Sequence, residues 1–205
     1  NLVFTGNTGD GLELQATGGG TLTVTNPVVN SQFTNNDGNG LNLNAAGGTV
    51  NIKIGQDVVN SGGSISRLGN TFSGNGIAGL AFNSSAGGVI NTDIRNNNAS
   101  NNDGDGIRFN LDGTTLNPLT IQNNLVDGNG ANGLVFWATS GSVLNNTAIH
   151  GNSFSDNTGG DGLLVDLTDS MATQIDISQN LLDRNRDNGI SIDLDNGDIG
   201  TLNIV

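Results

Sequence analysis

Seven times along this chain an Asn is followed four residues later by a Gly and then by an apolar–any–apolar triplet. The Asn column reads Asn7, Asn36, Asn75, Asn102, Asn129, Asn157 and Asn185. The Gly column reads Gly11, Gly40, Gly79, Gly106, Gly133, Gly162 and Gly189, the sixth gap being one residue longer. The triplets supply pairs such as Leu41/Leu43, Ile107/Phe109 and Leu134/Phe136. Successive Gly residues stand 29, 39, 27, 27, 29 and 27 apart, so the unit is about 27 residues, with one enlarged coil. A fixed period of this length belongs to solenoids, in which each unit packs only on its neighbours. Residues must then be compared by column rather than by linear motif.

Each unit holds three short segments of alternating polarity, the period-2 signature of half-buried strands. The first carries one large apolar residue three before the Asn: Phe4, Phe33, Phe72, Ala99, Val126, Phe154 and Leu182. The second is the Gly–apolar–any–apolar segment, and the third is typified by residues 49–54 and 90–94. Three strands and three turns close one coil, and coils stack at about the inter-strand spacing of 4.8 Å. All seven Phe fall in two inward columns, which predicts stacked aromatic rows in the core. The Asn column predicts a ladder of side-chain amides bonded between coils, with a second, partial ladder at Asn70, Asn97, Asn124, Asn152 and Asn180. The Gly column is expected to supply an unusual backbone angle at the entry to the second strand.

Composition supports this architecture and narrows the partners. The 33 Gly, the abundant Asn and only 12% charged residues suit turns and strands rather than helices. The repeat runs through residues 1–205, which form one domain, with an enlarged turn near 56–67 expected to be a flexible Gly/Ser-rich surface loop. A net charge of −13 with six Lys and Arg argues against nucleic acid and against anionic membrane surfaces, both of which need basic patches. No apolar run approaches the length of a membrane span. Cations, glycans, basic surfaces and other β-helix coils remain as partners, and no cofactor is required. The absence of Cys removes disulfide and thiol chemistry.

The repeat resembles the right-handed parallel β-helix family, the pectate-lyase-like architecture of pectate lyases, polygalacturonases, phage tailspikes and many bacterial surface proteins. The resemblance spans the whole chain and implies an all-β, right-handed solenoid of about seven coils with three strands each. It carries little about activity, because catalytic and structural members share this scaffold. Polygalacturonase-like members carry an Asn-Thr-Asp, a paired Asp, a Gly-His-Gly and an Arg-Ile-Lys on successive coils. This chain has Asn91-Thr92-Asp93 and Ile149-His150-Gly151 but no Asp-Asp pair between them and no Arg-Ile-Lys. Alternation also sends Asp93 and His150 to different outward columns, so no catalytic residue is assigned.

Function on such a rod is sought in outward columns. In the second strand one reads Glu13, Asn42, Ala81, Arg108, Val135, Leu164 and Ser191. The next reads Gln15, Asn44, Asn83, Asn110, Trp137, Asp166 and Asp193. The sole Trp therefore points outward, with Asn110 below, Asp166 above and Arg108 one coil down in the adjoining column. A stacking face beside amide, carboxylate and guanidinium groups fits a sugar ring, which makes Trp137, Arg108, Asn110 and Asp166 a candidate glycan site. The alternative is a Trp137 tucked beneath a neighbouring turn. Asp166 and Asp193 share a column in adjacent coils and Asp195 follows on the same face, so these hard oxygen ligands could hold calcium. The alternative there is a solvated acidic surface, since Asp occupies ten positions from Asp156 to Asp198.

The chain begins inside a first strand and stops inside a third, with no amphipathic capping helix. The expectation is a segment of a longer β-helix, or a unit that stacks end to end with copies of itself. The sequence thus points to a non-catalytic structural or adhesive segment of a large secreted or cell-surface protein, bacterial in type. The rival is a carbohydrate-active or carbohydrate-binding β-helix, lyase-like or hydrolase-like, acting through the Trp137 face.

Overall fold

The alternating segments pair with their equivalents one repeat away. The computed structural model describes residues 1–205 and contains strands without helices. It is a parallel β-solenoid of about seven turns, about 28 residues apart. One continuous sheet has seven strands, one per coil, from Leu12–Thr17 through Leu134–Thr139 to Ile190–Asp195. Its register aligns the columns read from the sequence: Leu41 with Leu80, Leu80 with Ile107, and Asn110 with Trp137. A second sheet runs along the third segment of each coil, from Thr21–Thr23 to Asp198–Ile204. Two of its coils split this strand, at Asn117-Pro118 and at Asn145-Asn146. Pro118 has no N–H to give, and Asn146 adopts φ +44° and donates its N–H to Thr173 Oγ1 instead.

The first segment behaves differently along the rod. Val3–Thr5, Gln32–Thr34 and Thr71–Ser73 form a three-stranded sheet, whereas later coils keep only the single-residue bridges from Asn98 to Leu181. The reason lies in the side chains. The Asp127 N–H goes to Ser100 Oγ at 3.0 Å, the Ser155 N–H to Asp127 Oδ1 at 2.8 Å, and the Asp183 N–H to Ser155 Oγ at 3.2 Å. Side-chain oxygens therefore take donors that a strand ladder would give to carbonyls.

The core is the predicted pair of aromatic rows. Phe4, Phe33 and Phe72 stack at centroid distances of 5.0 and 4.7 Å, and Phe82, Phe109 and Phe136 at 4.4 and 4.8 Å. Each spacing is that of adjacent strands, so one ring per coil stacks face to face. Phe154 is also fully buried, and only Phe4 in the first coil is half-covered.

Both expected Asn ladders form. Asn75 Nδ2 donates to Asn102 Oδ1 (2.9 Å) and Asn102 Nδ2 to Asn129 Oδ1 (3.0 Å), each from one coil to the next. Asn36, Asn75 and Asn102 also give the second hydrogen to a carbonyl one coil earlier, as Asn102 does to Phe72 (3.1 Å), while each oxygen accepts the N–H and Nδ2 of the preceding Asn. At these three rungs two donors and two lone pairs are all used. The second ladder repeats the scheme from Asn70 to Asn180, with Ser31 at its first rung.

The Gly column stands for a different reason from the one expected. None of these seven glycines has positive φ. A Cβ on Gly133 would instead lie 2.6 Å from the Gly162 carbonyl oxygen and 2.9 Å from Asn157 Nδ2. Close approach of coils, not backbone angle, requires glycine there. The left-handed angle sits one residue before each ladder Asn, at Gly6, Asn35, Gly74, Asn101, Gly128, Asp156 and Arg184.

The enlarged coil is likewise not a flexible loop. Gln56–Val59 and Ile65–Leu68 pair as an antiparallel hairpin, with Val59 opposite Ile65 and Asp57 opposite Arg67. Asn96 Nδ2 bonds the Gln56 carbonyl and Asp57 Oδ1, both at 3.0 Å, and fixes the hairpin to the next coil.

Candidate functional site

Strand alternation carries every outward residue of the seven-stranded sheet into the column expected of it. Asn110, Trp137, Asp166 and Asp193 stand in direct register across four coils, and Arg108 lies one coil below Val135 in the neighbouring column. Trp137 is partly exposed and sits at one end of a groove of about 590 Å³. The groove runs from Trp137 across Asn110, Asn83 and Asn44 to Gln15, with Asp112 on its flank. Trp137 is thus not sealed beneath a turn.

The groove does not gather the whole predicted site. Asp166 is in register with Trp137 but lies beyond the groove end, and Arg108 is turned away from it. The Arg108 guanidinium lies 4.0 Å from Asp105 Oδ2, with its side chain only 20% exposed. Its Nε is buried without a partner. The amides are instead tied along the rod: Asn110 Nδ2 donates to Asn83 Oδ1 (2.7 Å), Asn83 Nδ2 to Asn42 Oδ1 (2.8 Å) and Asn44 Nδ2 to Glu13 Oε1 (2.6 Å).

Arg108 turns inward because of a polar column that the sequence did not disclose. The residue before each column Gly is Asp10, Asn39, Ala78, Asp105, Asn132, Asp161 or Asn188. Asp105 Oδ1 accepts the Asn132 N–H and Nδ2, both at 3.0 Å, and Asp161 Oδ1 accepts those of Asn188 at 2.8 and 2.9 Å. Asp10 Oδ1 holds Asn39 in the same way. Burial pushes the Asp105 carboxyl above its ordinary value, against the Asn132 hydrogen bonds and the nearby Arg108, which draw it down. The sequence signal was the Asp/Asn alternation at a fixed offset, hidden among ordinary turn residues.

The other candidates fall in separate places. Asp166 meets Thr168 Oγ1 at 3.3 Å, and Asp193 and Asp195 are exposed in the last coil. No group of three or more His, Asp or Glu side chains stands close enough together to hold a metal ion. Asp93 is clasped by Arg95, whose Nε reaches both carboxylate oxygens at 2.7 and 2.8 Å. His150 is in register with Gln122 and Ser178, two coils from Asp93 and in another column. A second groove of about 480 Å³ crosses the other long sheet beside Asn51, Lys53 and Asn91. Arg184 and Asp156 pair on the surface at 2.6 and 2.7 Å, and that bond holds the Asp156 carboxyl below its ordinary value.

Compared with known protein families, curated proteins and solved structures, the chain matches none of them.

Proposed function

We propose that this chain is a non-catalytic, rigid structural or adhesive segment of a large secreted or cell-surface protein of bacterial type, packed against further β-helix coils or copies of itself. The observation that carries this reading is the continuity of the two Asn ladders and the two Phe rows. They commit twelve Asn amides and six of the seven Phe rings to holding one coil on the next. Single-molecule stretching tests it. The rod is expected to resist force and then to yield in steps of one coil, roughly 90–100 Å of released chain each. Unravelling at low force without discrete steps would overturn the structural role, and release of products from a polysaccharide panel by the purified protein would overturn the non-catalytic one.

One observation favours a second reading, in which the rod binds glycans. A partly exposed Trp137 closes a groove lined by amide and hydroxyl groups, as a pyranose ring needs a stacking face and hydrogen-bond partners. A glycan array is expected to find ligands that Trp137→Ala no longer retains. Equal retention by wild type and variant would remove the site.

A further inference from the structure

The groove beside Trp137 keeps open acceptors and an acidic bias. Asn44, Asn83 and Asn110 have each given one Nδ2 hydrogen to a neighbouring side chain and keep the second. Asn44 Oδ1 and Asn110 Oδ1 keep no donor, and the Asp112 carboxylate has only a 3.5 Å contact with Thr139 Oγ1. Amide oxygens and one carboxylate thus stand open to donors, beside the second Nδ2 hydrogen of each Asn. The local charge has the same bias, with Asp112 lining the groove, Asp166 in register beside Trp137 and Glu13 beside Asn44. The one cation of these columns, Arg108, faces Asp105 instead.

A ligand suited to this surface brings donors, positive charge and a face that stacks on indole. Cations are drawn to the Trp face, most strongly when partly desolvated. The spacing chooses between a peptide and a sugar polymer. The amide column repeats once per coil, at about 4.8 Å, while an extended peptide presents same-side groups about every 6.8 Å. A pyranose and its glycosidic bond span a length close to one coil, so successive rings meet equivalent acceptors on successive coils.

We propose that this groove binds a glycan of protonated amino sugars, a glucosamine-type polymer lying along the solenoid axis with one ring on Trp137 and its ammonium toward Asp112. The proposal rests on the glycan reading above and adds the charge of the sugar. Strand geometry sets Asp112 one coil and two residues from Trp137, roughly 8 Å away.

Trp137 is the only Trp, so its fluorescence reports this site alone. The intact chain is titrated with a fully deacetylated glucosamine hexamer, the N-acetylated hexamer, a galacturonate hexamer and hexalysine. The deacetylated hexamer is expected to perturb Trp137 and to bind about tenfold tighter than the N-acetylated one, with Asp112→Asn narrowing that ratio to about twofold. Added salt weakens the deacetylated hexamer selectively. Equal affinity for both hexamers, or no effect of Asp112→Asn, overturns the amino-sugar proposal while leaving the glycan reading in place. If no oligosaccharide perturbs Trp137, both fall. Calorimetry on Trp137→Ala separates site binding from attraction to the acidic surface. Undiminished binding of the deacetylated hexamer there, matched by hexalysine, overturns the proposal.

Discussion

Two polar columns run through this rod side by side and solve the same problem in different ways. In the column from Asn7 to Asn185 every rung is an amide, and each Nδ2 donates toward the C-terminal coil. In the column through Asp105, Asn132, Asp161 and Asn188, carboxylate and amide alternate, and each Nδ2 donates toward the N-terminal coil. An amide both gives and accepts, so it can be repeated without limit. A carboxylate only accepts, so it must be followed by a donor. The all-Asn column tolerates no acid, whereas the alternating column tolerates an acid at every second rung and no oftener.

Breaking the first column should have the largest effect. Asn102→Ala removes four bonds at a buried rung and leaves the Phe72 carbonyl and the Asn75 N–H without partners. A loss of about 3–5 kcal/mol is expected in urea denaturation. A loss under about 1 kcal/mol would mean that neighbouring coils relax to close the gap.

Asn132→Asp tests the alternation itself, because it sets three carboxylates in consecutive coils at 105, 132 and 161. At pH 7 the expected loss is about 2–3 kcal/mol. A proton shared between adjacent carboxyls raises the folded-state pKa, so stability relative to wild type should recover as pH falls toward about 4. A loss independent of pH would place the cause in packing rather than charge.

Asp105→Asn should have the smallest effect and the opposite sign. The folded Asp105 carboxyl sits above its ordinary value of 3.8, chiefly through burial, so the folded state holds its proton more tightly than the unfolded chain does. Its ionised form therefore costs stability above the folded pKa, and that cost fades as pH drops toward the unfolded value. An amide at 105 keeps both bonds from Asn132, and a gain of about 1 kcal/mol at pH 7 is expected, vanishing in acid. A loss at pH 7 would show that the Arg108 contact outweighs burial.

The same contrast explains how much the sequence disclosed. The Phe rows and the all-Asn ladder repeat one residue type at one spacing, so the period alone exposes them. Alternation likewise turned Trp137 outward correctly, because strand geometry decides which face a residue takes. The alternating column escaped because Asp and Asn before Gly look like any turn. Arg108 followed it, since its direction depends on the buried Asp105 rather than on its own face. The glycine column was visible, but its cause lies in the distance to the next coil, which no single coil displays. The hairpin was missed as a loop, although Asp57-Val58-Val59 and Ile65-Ser66-Arg67 flank Gly62-Gly63, a short β-prone run on each side of a turn.

That hairpin has one more consequence. Most coils here are interchangeable, so a folding chain that stacked one coil out of phase would still match Phe to Phe and Asn to Asn along much of its length. The hairpin-bearing coil cannot be exchanged. Its Asp57 meets Asn96 and Arg95 of one particular neighbour, and the alternating column is interrupted at Ala78, where Asn39 Oδ1 has no donor. The least regular coil is thus the phase mark of the rod, and it gives an otherwise periodic sequence a single alignment with itself.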